Sequence, residues 1–70
     1  MTYREIARKL RALGCEEIPL NGGGSHRKWH NPATLLSTVI PDWGGSDLKT
    51  GTVHAAVRQL GIEWAEFESG

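Results

Sequence analysis

Residues 35–40 read Leu-Leu-Ser-Thr-Val-Ile and form the strongest predicted strand of the chain. Threonine, valine and isoleucine favour extended backbone, and Pro41 ends the strand because proline has no N–H to donate. Residues 26–31 predict a second strand, which ends before Pro32, and residues 15–20 predict a shorter first one. A glycine run and a proline separate these segments. The sequence therefore predicts three consecutive strands joined by turns.

Two amphipathic helices flank these strands. Thr2 and Glu5 match a capping box, and apolar residues at helical spacing predict a helix over residues 3–13. Residues 52–60 repeat the apolar spacing, and Gly61 ends that second helix. The predicted order is α-β-β-β-α. We expect an α+β fold in which two helices cover one face of a three-stranded antiparallel sheet and leave the other face open to a partner.

Several single residues have both a structural and a functional interpretation. Trp29 is expected in the core rather than as a platform for stacked bases, and Cys15 as a small buried side chain rather than a nucleophile. His54 lies off the apolar stripe of its helix, so we expect it to be exposed. Trp43, in a turn-rich segment, either caps the core or contacts a ligand. Residues 63–67 are expected to form a final short turn.

Length and composition narrow the class of protein. The chain has 70 residues, which predicts one domain over residues 1–70 with a small core. A single cysteine excludes an intramolecular disulfide and favours a reducing compartment. The sequence has no signal-peptide pattern and no apolar run approaching about 20 residues. We therefore expect a cytoplasmic protein without a membrane partner.

The charge is balanced overall but unevenly placed. The formal net charge is zero, yet residues 1–30 carry six Lys/Arg against three Glu, whereas residues 61–70 carry three Glu and no cation. A neutral chain can therefore still present a basic surface. The first helix carries a row of cations that we expect to be solvated, with an RNA-facing or partner-facing role as the alternative: Arg4, Arg8 and Arg11.

The strongest functional signal lies in residues 22–30, Gly-Gly-Gly-Ser-His-Arg-Lys-Trp-His. Glycines leave backbone amides open to an anion, and histidine is suited to proton transfer near neutral pH. Strand alternation would place His26, Lys28 and His30 on one face. A zinc ion shared by the two histidines is not expected, because four strand residues separate them by roughly 13 Å. Taken alone, a glycine run most often only connects two strands.

Short motifs with a characteristic order and spacing run through the chain: Leu13-Gly14, Gly24-Ser25-His26, Trp29, His30-Asn31-Pro32, Val39-Ile40-Pro41, Gly44-Gly45, Leu48-Lys49, Gly51-Thr52 and Leu60-Gly61-Ile62. Together they resemble the HicA-type toxins of HicA–HicB toxin–antitoxin modules, and the resemblance covers nearly the whole chain. Two features depart from the family. Gly23 stands where a basic residue is common, and the chain is neutral where members are usually basic.

The resemblance implies a double-stranded-RNA-binding-domain-like fold and the toxin component of a type II toxin–antitoxin module. It also implies an endoribonuclease that cleaves mRNA without the ribosome, with the histidine of the Gly-Ser-His motif, His26, as the catalytic residue. A HicB-type antitoxin would cover His26. We expect that partner to bring an acidic surface to Arg27, Lys28 and the arginine row, and we expect no binding of DNA by the chain itself.

RNA cleavage at such a site would use the RNA's own 2′-OH as the nucleophile, so we expect neither a metal nor another cofactor. His26 would be the general base for that hydroxyl or the acid at the leaving 5′-oxygen. The amides of Gly23, Gly24 and Ser25 would stabilise the charged phosphorane, unless Ser25 only fixes the turn. Further contacts with the substrate are expected from three cations: Arg27, Lys28 and Lys49.

Three alternatives stay open at this point. A non-catalytic RNA-binding module of the same fold is one, although such a domain would carry a lysine cluster at the start of its second helix, where this chain offers only Lys49. An inactive toxin homologue that only binds its antitoxin is the second, and the intact His26 disfavours it. A structural or adaptor role is the third.

Overall fold

The structure, a computed structural model, describes residues 1–19 and 24–69. Its elements follow in the order α1 (Tyr3–Ala12), β1 (Glu16–Ile18), β2 (His26–Asn31), β3 (Leu36–Pro41), α2 (Thr50–Gln59) and α3 (Trp64–Ser69). The strands form one antiparallel sheet in the order β1-β2-β3. The α+β class and the three-stranded antiparallel sheet are confirmed. The segment expected to form a final short turn is a third helix, α3.

β2 is the central strand and runs antiparallel to both of its neighbours. His26, its first residue, faces Pro41, the last residue of β3. β2 therefore begins at the end of the sheet where β1 and β3 finish, and we call this the His26 end. The start of α1 lies near this end, since Thr2 forms a bridge with Asp47 in the segment that follows β3.

The hydrophobic core lies between one face of the sheet and the helices. Trp29 of β2 is fully buried, as the sequence predicts, and Cys15 is buried as well. Burial raises the pKa of the Cys15 thiol, which keeps it protonated and unreactive. α3 packs against both α1 and α2. The largest fully buried side chains come from both longer strands and from the helical segments: Trp29, Phe67, Ile6, Leu10, Ile40 and Leu60.

The predicted start of α1 is confirmed, whereas the other helix bounds differ by one or two residues from the predicted 3–13 and 52–60. The Thr2 hydroxyl accepts the Glu5 N–H at 3.4 Å, and the Glu5 carboxylate accepts the Thr2 N–H at 3.0 Å, which completes the capping box of α1. α2 begins at Thr50, earlier than predicted, and stops before Gly61. Gly61 has a φ of +72°, and a Cβ there would lie 2.9 Å from Cγ2 of Thr34, so only glycine fits. Within the described residues, no helix has both the length and the apolar character that a bilayer span requires.

The turn between β2 and β3 corrects the prediction for Leu35, which is not part of the strand. Its φ is +63°, in the left-handed region, and its side chain is 77% exposed. The N–H groups of Thr34 and Leu35 donate to the Asn31 carbonyl at 3.2 and 2.8 Å. The buried Asn31 side chain donates to the Leu60 carbonyl at 2.8 Å and accepts the Ala33 N–H at 3.0 Å. These contacts fix the turn against the extended preference of the local sequence.

β1 is also shorter than predicted. It covers Glu16–Ile18, and Leu20, the predicted last residue, lies outside the described residues. Pro19 follows directly after β1 and has no N–H to donate to β2, which explains why pairing stops there. The central strand, in contrast, has the predicted bounds of His26–Asn31.

The structure corrects the prediction for His54 and describes Trp43, for which two interpretations were open. His54 is half-buried rather than exposed, because its ring stacks on Trp64 with centroids 3.5 Å apart and planes 17° apart. Trp64 in turn packs against Phe67 at 5.3 Å between ring centroids. α3 therefore covers His54, which could not be predicted while α3 itself was taken for a turn. Trp43 is 46% exposed and does not cap the core.

Candidate functional site

The backbone that leads into β2 has a conformation that requires glycine. Gly24 has a φ of +92°, and among the described residues other than its chain neighbours no atom lies within 4 Å of the position of a Cβ there. Its backbone angle, not crowding, therefore explains the glycine. Ser25 is exposed, and its carbonyl accepts a hydrogen bond from the Asp42 N–H, which anchors this turn to the end of β3. Gly23, predicted to act with them, lies outside the described residues.

His26 is the first residue of β2, and its side chain is exposed. Among residues 1–19 and 24–69, no side chain or backbone group forms a hydrogen bond or ion pair with its imidazole. As far as the described residues are concerned, both ring nitrogens are open to a ligand. An acid–base group needs this access to the atom whose proton it moves.

Lys28 and His30 share the open face of the sheet with His26, as strand alternation predicts. Trp29, between them, is fully buried on the helix side. Lys28 is half-buried and stands opposite Val39 of β3, which is 49% exposed. This face therefore combines two imidazoles and an ammonium group with exposed apolar surface.

His30 has its own contacts on the open face, and the sequence did not predict them. Its Nδ1 lies 3.1 Å from the Ser37 hydroxyl, and Glu16 of β1 stands opposite it. Four residues of strand keep it roughly 13 Å from His26 along β2. At this spacing we do not expect His26 and His30 to act on the same phosphorus atom. Within the described residues no group of three or more His, Cys, Asp or Glu side chains is placed to hold a metal ion.

Arg27 lies on the opposite face from His26, on the side of the helices. Its guanidinium pairs with the Asp42 carboxylate at 3.6 Å and lies 4.0 Å from the Glu17 carboxylate. The sequence predicted Arg27 as a substrate contact but did not predict these two partners, which come from β1 and from the segment after β3. The structure thus separates Arg27 from Lys28.

Glu17 joins α1 to the sheet through a hydrogen-bonded network. The Tyr3 hydroxyl donates to Glu17 Oε1 at 3.2 Å, and Arg11 pairs with the same oxygen at 3.3 Å. The buried Trp29 indole N–H donates to the Tyr3 hydroxyl at 3.0 Å. Burial raises the pKa of Tyr3 to about 12. The phenol therefore stays protonated and holds its place in the network at neutral pH.

Lys49 is exposed at the N-terminal end of α2, where it occupies the N-cap position without a capping hydrogen bond from its side chain. The Leu48 N–H donates to the Met1 carbonyl at 2.9 Å, so α2 begins beside the start of α1, on the helix side of the sheet. Arg4, Arg8 and Arg11 are all exposed, as expected. Of the predicted substrate contacts, the structure groups Gly24, Ser25 and Lys28 with His26 and places Arg27 and Lys49 on the helix side.

Together these features define a small α+β domain that presents a glycine–serine–histidine turn at one end of an open three-stranded sheet. The family model of the HicA toxin of bacterial toxin–antitoxin systems matches residues 3–62. The chain belongs to this toxin family, which confirms the resemblance seen in the sequence. Neither the comparison with curated proteins nor the comparison with solved structures gives a match.

Proposed function

We propose that this toxin is an endoribonuclease that cleaves mRNA without a metal ion or the ribosome, with His26 as the acid–base group. The observation that carries the proposal is the accessibility of the His26 imidazole. Its imidazole is exposed at the start of the central strand, and no described residue binds either ring nitrogen. Family membership supplies the toxin role, and the side chain has the chemistry that RNA cleavage requires.

The reaction can be written with the groups of RNA and one histidine. As general base, His26 takes the proton from the ribose 2′-OH, and the 2′-oxygen attacks the adjacent phosphorus. The bond from phosphorus to the 5′-oxygen breaks, leaving a 2′,3′-cyclic phosphate, and the 5′-oxygen takes a proton from water to become a 5′-OH. If His26 is instead the general acid, it supplies the proton to the 5′-oxygen and water takes the proton from the 2′-OH. One secure proton carrier predicts slow turnover.

The surroundings of His26 support binding of the phosphodiester. The exposed turn at Gly24 and Ser25 leaves backbone N–H groups next to the histidine, where they would stabilise the negative phosphorane. Lys28 would hold a phosphate on the same face. Arg27 and Lys49 would contact the RNA backbone farther from the reacting atoms, and Gly23, outside the described residues, keeps its proposed role beside Gly24.

A cognate antitoxin is the partner that the family implies. We propose that it is of the HicB type, that it covers His26 and the open sheet face, and that it brings acidic groups to Lys28, Arg27 and the exposed arginines of α1. Val39, 49% exposed on the same face, would add apolar contact. We further propose that residues 1–70 act as one toxin domain in the cytoplasm.

The test is an RNA cleavage assay in EDTA that compares the wild type with His26→Ala and His30→Gln. His30 is the matched control because it is a histidine on the same strand and face. We expect cleavage by the wild type and by His30→Gln, no cleavage by His26→Ala, and a 5′-OH product. Circular dichroism establishes that all three proteins are folded.

Three results would contradict the proposal in different ways. Equal cleavage by the wild type and His26→Ala would place the activity elsewhere or in a contaminant. Loss of cleavage in EDTA would indicate a metal-dependent reaction. Binding of RNA or antitoxin without cleavage by any of the proteins would favour a non-catalytic module or an inactive toxin homologue.

A further inference from the structure

A cleft with a volume of about 620 Å³ opens between α1 and the segment that follows β3. Two walls carry the residues that matter for its chemistry. Arg4, Ala7 and Arg11 lie on α1. Asp42, Gly44 and Gly45 lie on the segment after β3. Its volume falls within the roughly 300–1,000 Å³ of sites that bind small molecules. The cleft contains none of the residues of the glycine–serine–histidine turn.

The cleft lies at the His26 end of the sheet. Asp42, on its wall, directly follows Pro41, the residue that faces His26 across the β2–β3 pair. The Asp42 N–H also donates to the carbonyl of Ser25, the residue before His26. One side of the cleft is therefore bonded to the turn that carries the proposed acid–base group, while the cleft itself lies on the helix side of the sheet.

The charges in the cleft leave one cation without a partner. Asp42 is compensated by Arg27 at 3.6 Å and accepts the Gly44 N–H at 3.0 Å. Arg11 is already paired with Glu17 at 3.3 Å. Arg4 forms no hydrogen bond or ion pair through its side chain with any residue that the structure describes. The cleft therefore has an unused positive charge and no unused negative one.

The spacing on α1 leaves room between the two guanidinium groups. Arg4 and Arg11 are seven residues apart on the helix, which separates them by about 10.5 Å along its axis. Ala7 lies between them and is buried, so its small side chain forms the floor rather than filling the gap. On the opposite wall, Gly44 and Gly45 have no side chains, and apart from chain neighbours no atom of the described residues lies within 4 Å of a Cβ position at either.

We infer that this cleft binds one nucleotide of the RNA on the helix side of the sheet, away from the reacting atoms, with Arg4 contacting its phosphate. The inference rests on the proposed ribonuclease function. A single nucleotide fits the concave shape and the glycine wall, whereas a protein partner of usual size buries about 800 Å² of broad surface on each side. A phosphate also suits a guanidinium group that has no competing carboxylate.

The test measures RNA binding apart from cleavage. A single-stranded 2′-O-methyl RNA oligonucleotide lacks the attacking hydroxyl, so the wild type binds it without cutting. Its affinity is measured by fluorescence anisotropy at several salt concentrations for the wild type, Arg4→Gln and Arg58→Gln. Arg58 is the matched control, because it is an exposed cation in the last turn of α2 and lies outside this cleft.

Arg4→Gln should bind more weakly, and its slope of log affinity against log salt should be less steep by about 0.7, the value for one phosphate contact on a single strand. Between 50 and 200 mM salt the wild type should therefore lose about 2.6-fold more affinity than Arg4→Gln. Arg58→Gln should match the wild type. Amide resonances of Gly44 and Gly45 should shift when the oligonucleotide binds.

Several results would overturn the inference. They are equal salt slopes for Arg4→Gln and Arg58→Gln, unshifted Gly44 and Gly45 resonances, or no binding by the wild type. The unmodified RNA separates this failure from failure of the proposed function. Cleavage by both the wild type and Arg4→Gln with the same KM would reject the cleft and keep the ribonuclease. Binding that depends on Arg4, without cleavage of the unmodified RNA, would keep the cleft as an RNA-binding site and reject the ribonuclease.

Discussion

Tyr3 joins α1 to the sheet through two hydrogen bonds, and Tyr3→Phe removes both while keeping the aromatic ring. The Trp29 indole N–H donates to the Tyr3 hydroxyl at 3.0 Å, and that hydroxyl donates to Glu17 at 3.2 Å. Trp29 has no solvent exposure, and Tyr3 is 8% exposed. After the substitution the indole N–H has neither an acceptor nor access to water.

The expected loss of stability comes mainly from the buried Trp29 indole N–H, which no longer has an acceptor. A buried donor without an acceptor costs about 1–3 kcal/mol, and a typical hydrogen bond contributes about 0.5–1.5 kcal/mol. The bond to Glu17 adds less, because this carboxylate is partly exposed and keeps Arg11 as its partner. We expect the free energy of unfolding to fall by about 2–3 kcal/mol. In a domain of this size that lowers the Tm by roughly 10–20 °C.

Urea unfolding followed by far-UV circular dichroism measures this change, since tryptophan fluorescence would respond to Trp29 directly. Trp43→Phe is the control, because it removes an indole N–H from a side chain that is 46% exposed. It should change the free energy of unfolding by less than about 0.5 kcal/mol, as surface substitutions usually do. A similarly small change for Tyr3→Phe would refute the network as a source of stability.

The same substitution should change the response to alkaline pH. Burial, supported by the nearby Glu17 carboxylate, raises the pKa of Tyr3 to about 12. The unfolded chain has the ordinary tyrosine value of about 10, so the folded state binds this proton more tightly. Its contribution to stability is full below pH 10 and is lost as the pH rises toward 12. Tyr3→Phe should lack this contribution to the alkaline loss, which urea midpoints at rising pH would show.

Two further predictions concern backbone conformation. Gly61→Ala should lower the free energy of unfolding by about 2 kcal/mol, since a left-handed φ costs other residues about 1–2 kcal/mol and the new Cβ would meet Thr34. Gly51→Ala, inside α2 with open space around it, should raise the free energy of unfolding by about 0.5–1 kcal/mol. If the two alanine variants shifted the Tm in the same direction, this reasoning would be contradicted. Leu35→Asn should raise the free energy of unfolding by about 0.5–1 kcal/mol, because asparagine tolerates φ near +60° better. A lower urea midpoint for that variant would count against strain at Leu35.

Short sequence motifs predicted those parts of the fold that depend only on residues close together in the chain. The central strand has its predicted bounds because a turn precedes it and Pro32 follows Asn31. The capping box at Thr2 is complete for the same reason, since all its groups lie within four residues. Leu35 and His54 were predicted wrongly because their partners are distant in sequence. The Leu35 turn depends on the bond from Asn31 to the Leu60 carbonyl, and His54 depends on α3.

The candidate site also has parts that the sequence predicts and parts that it does not. Alternation along one strand was enough to place His26 and Lys28 together on the open face, opposite Trp29. The partners of Arg27 could not be predicted, because Glu17 and Asp42 come from two other segments of the chain. The cleft beside α1 could not be predicted from the sequence either. Its walls are far apart in sequence and become a single site only when the segment after β3 returns to the first helix.

Pairing within the fold explains how a neutral chain can bind an anion at one end. Three of the acidic groups near the His26 end are paired with cations. Glu17 and Asp42 bind arginines, and Asp47 binds the N-terminal ammonium group at 2.9 Å. Arg4 and Lys49 have no ion-pair partner among the described residues, so their charge is left for a ligand. The net charge of zero is therefore not the charge that a ligand would meet at this end, and binding of the proposed RNA there should weaken as salt rises.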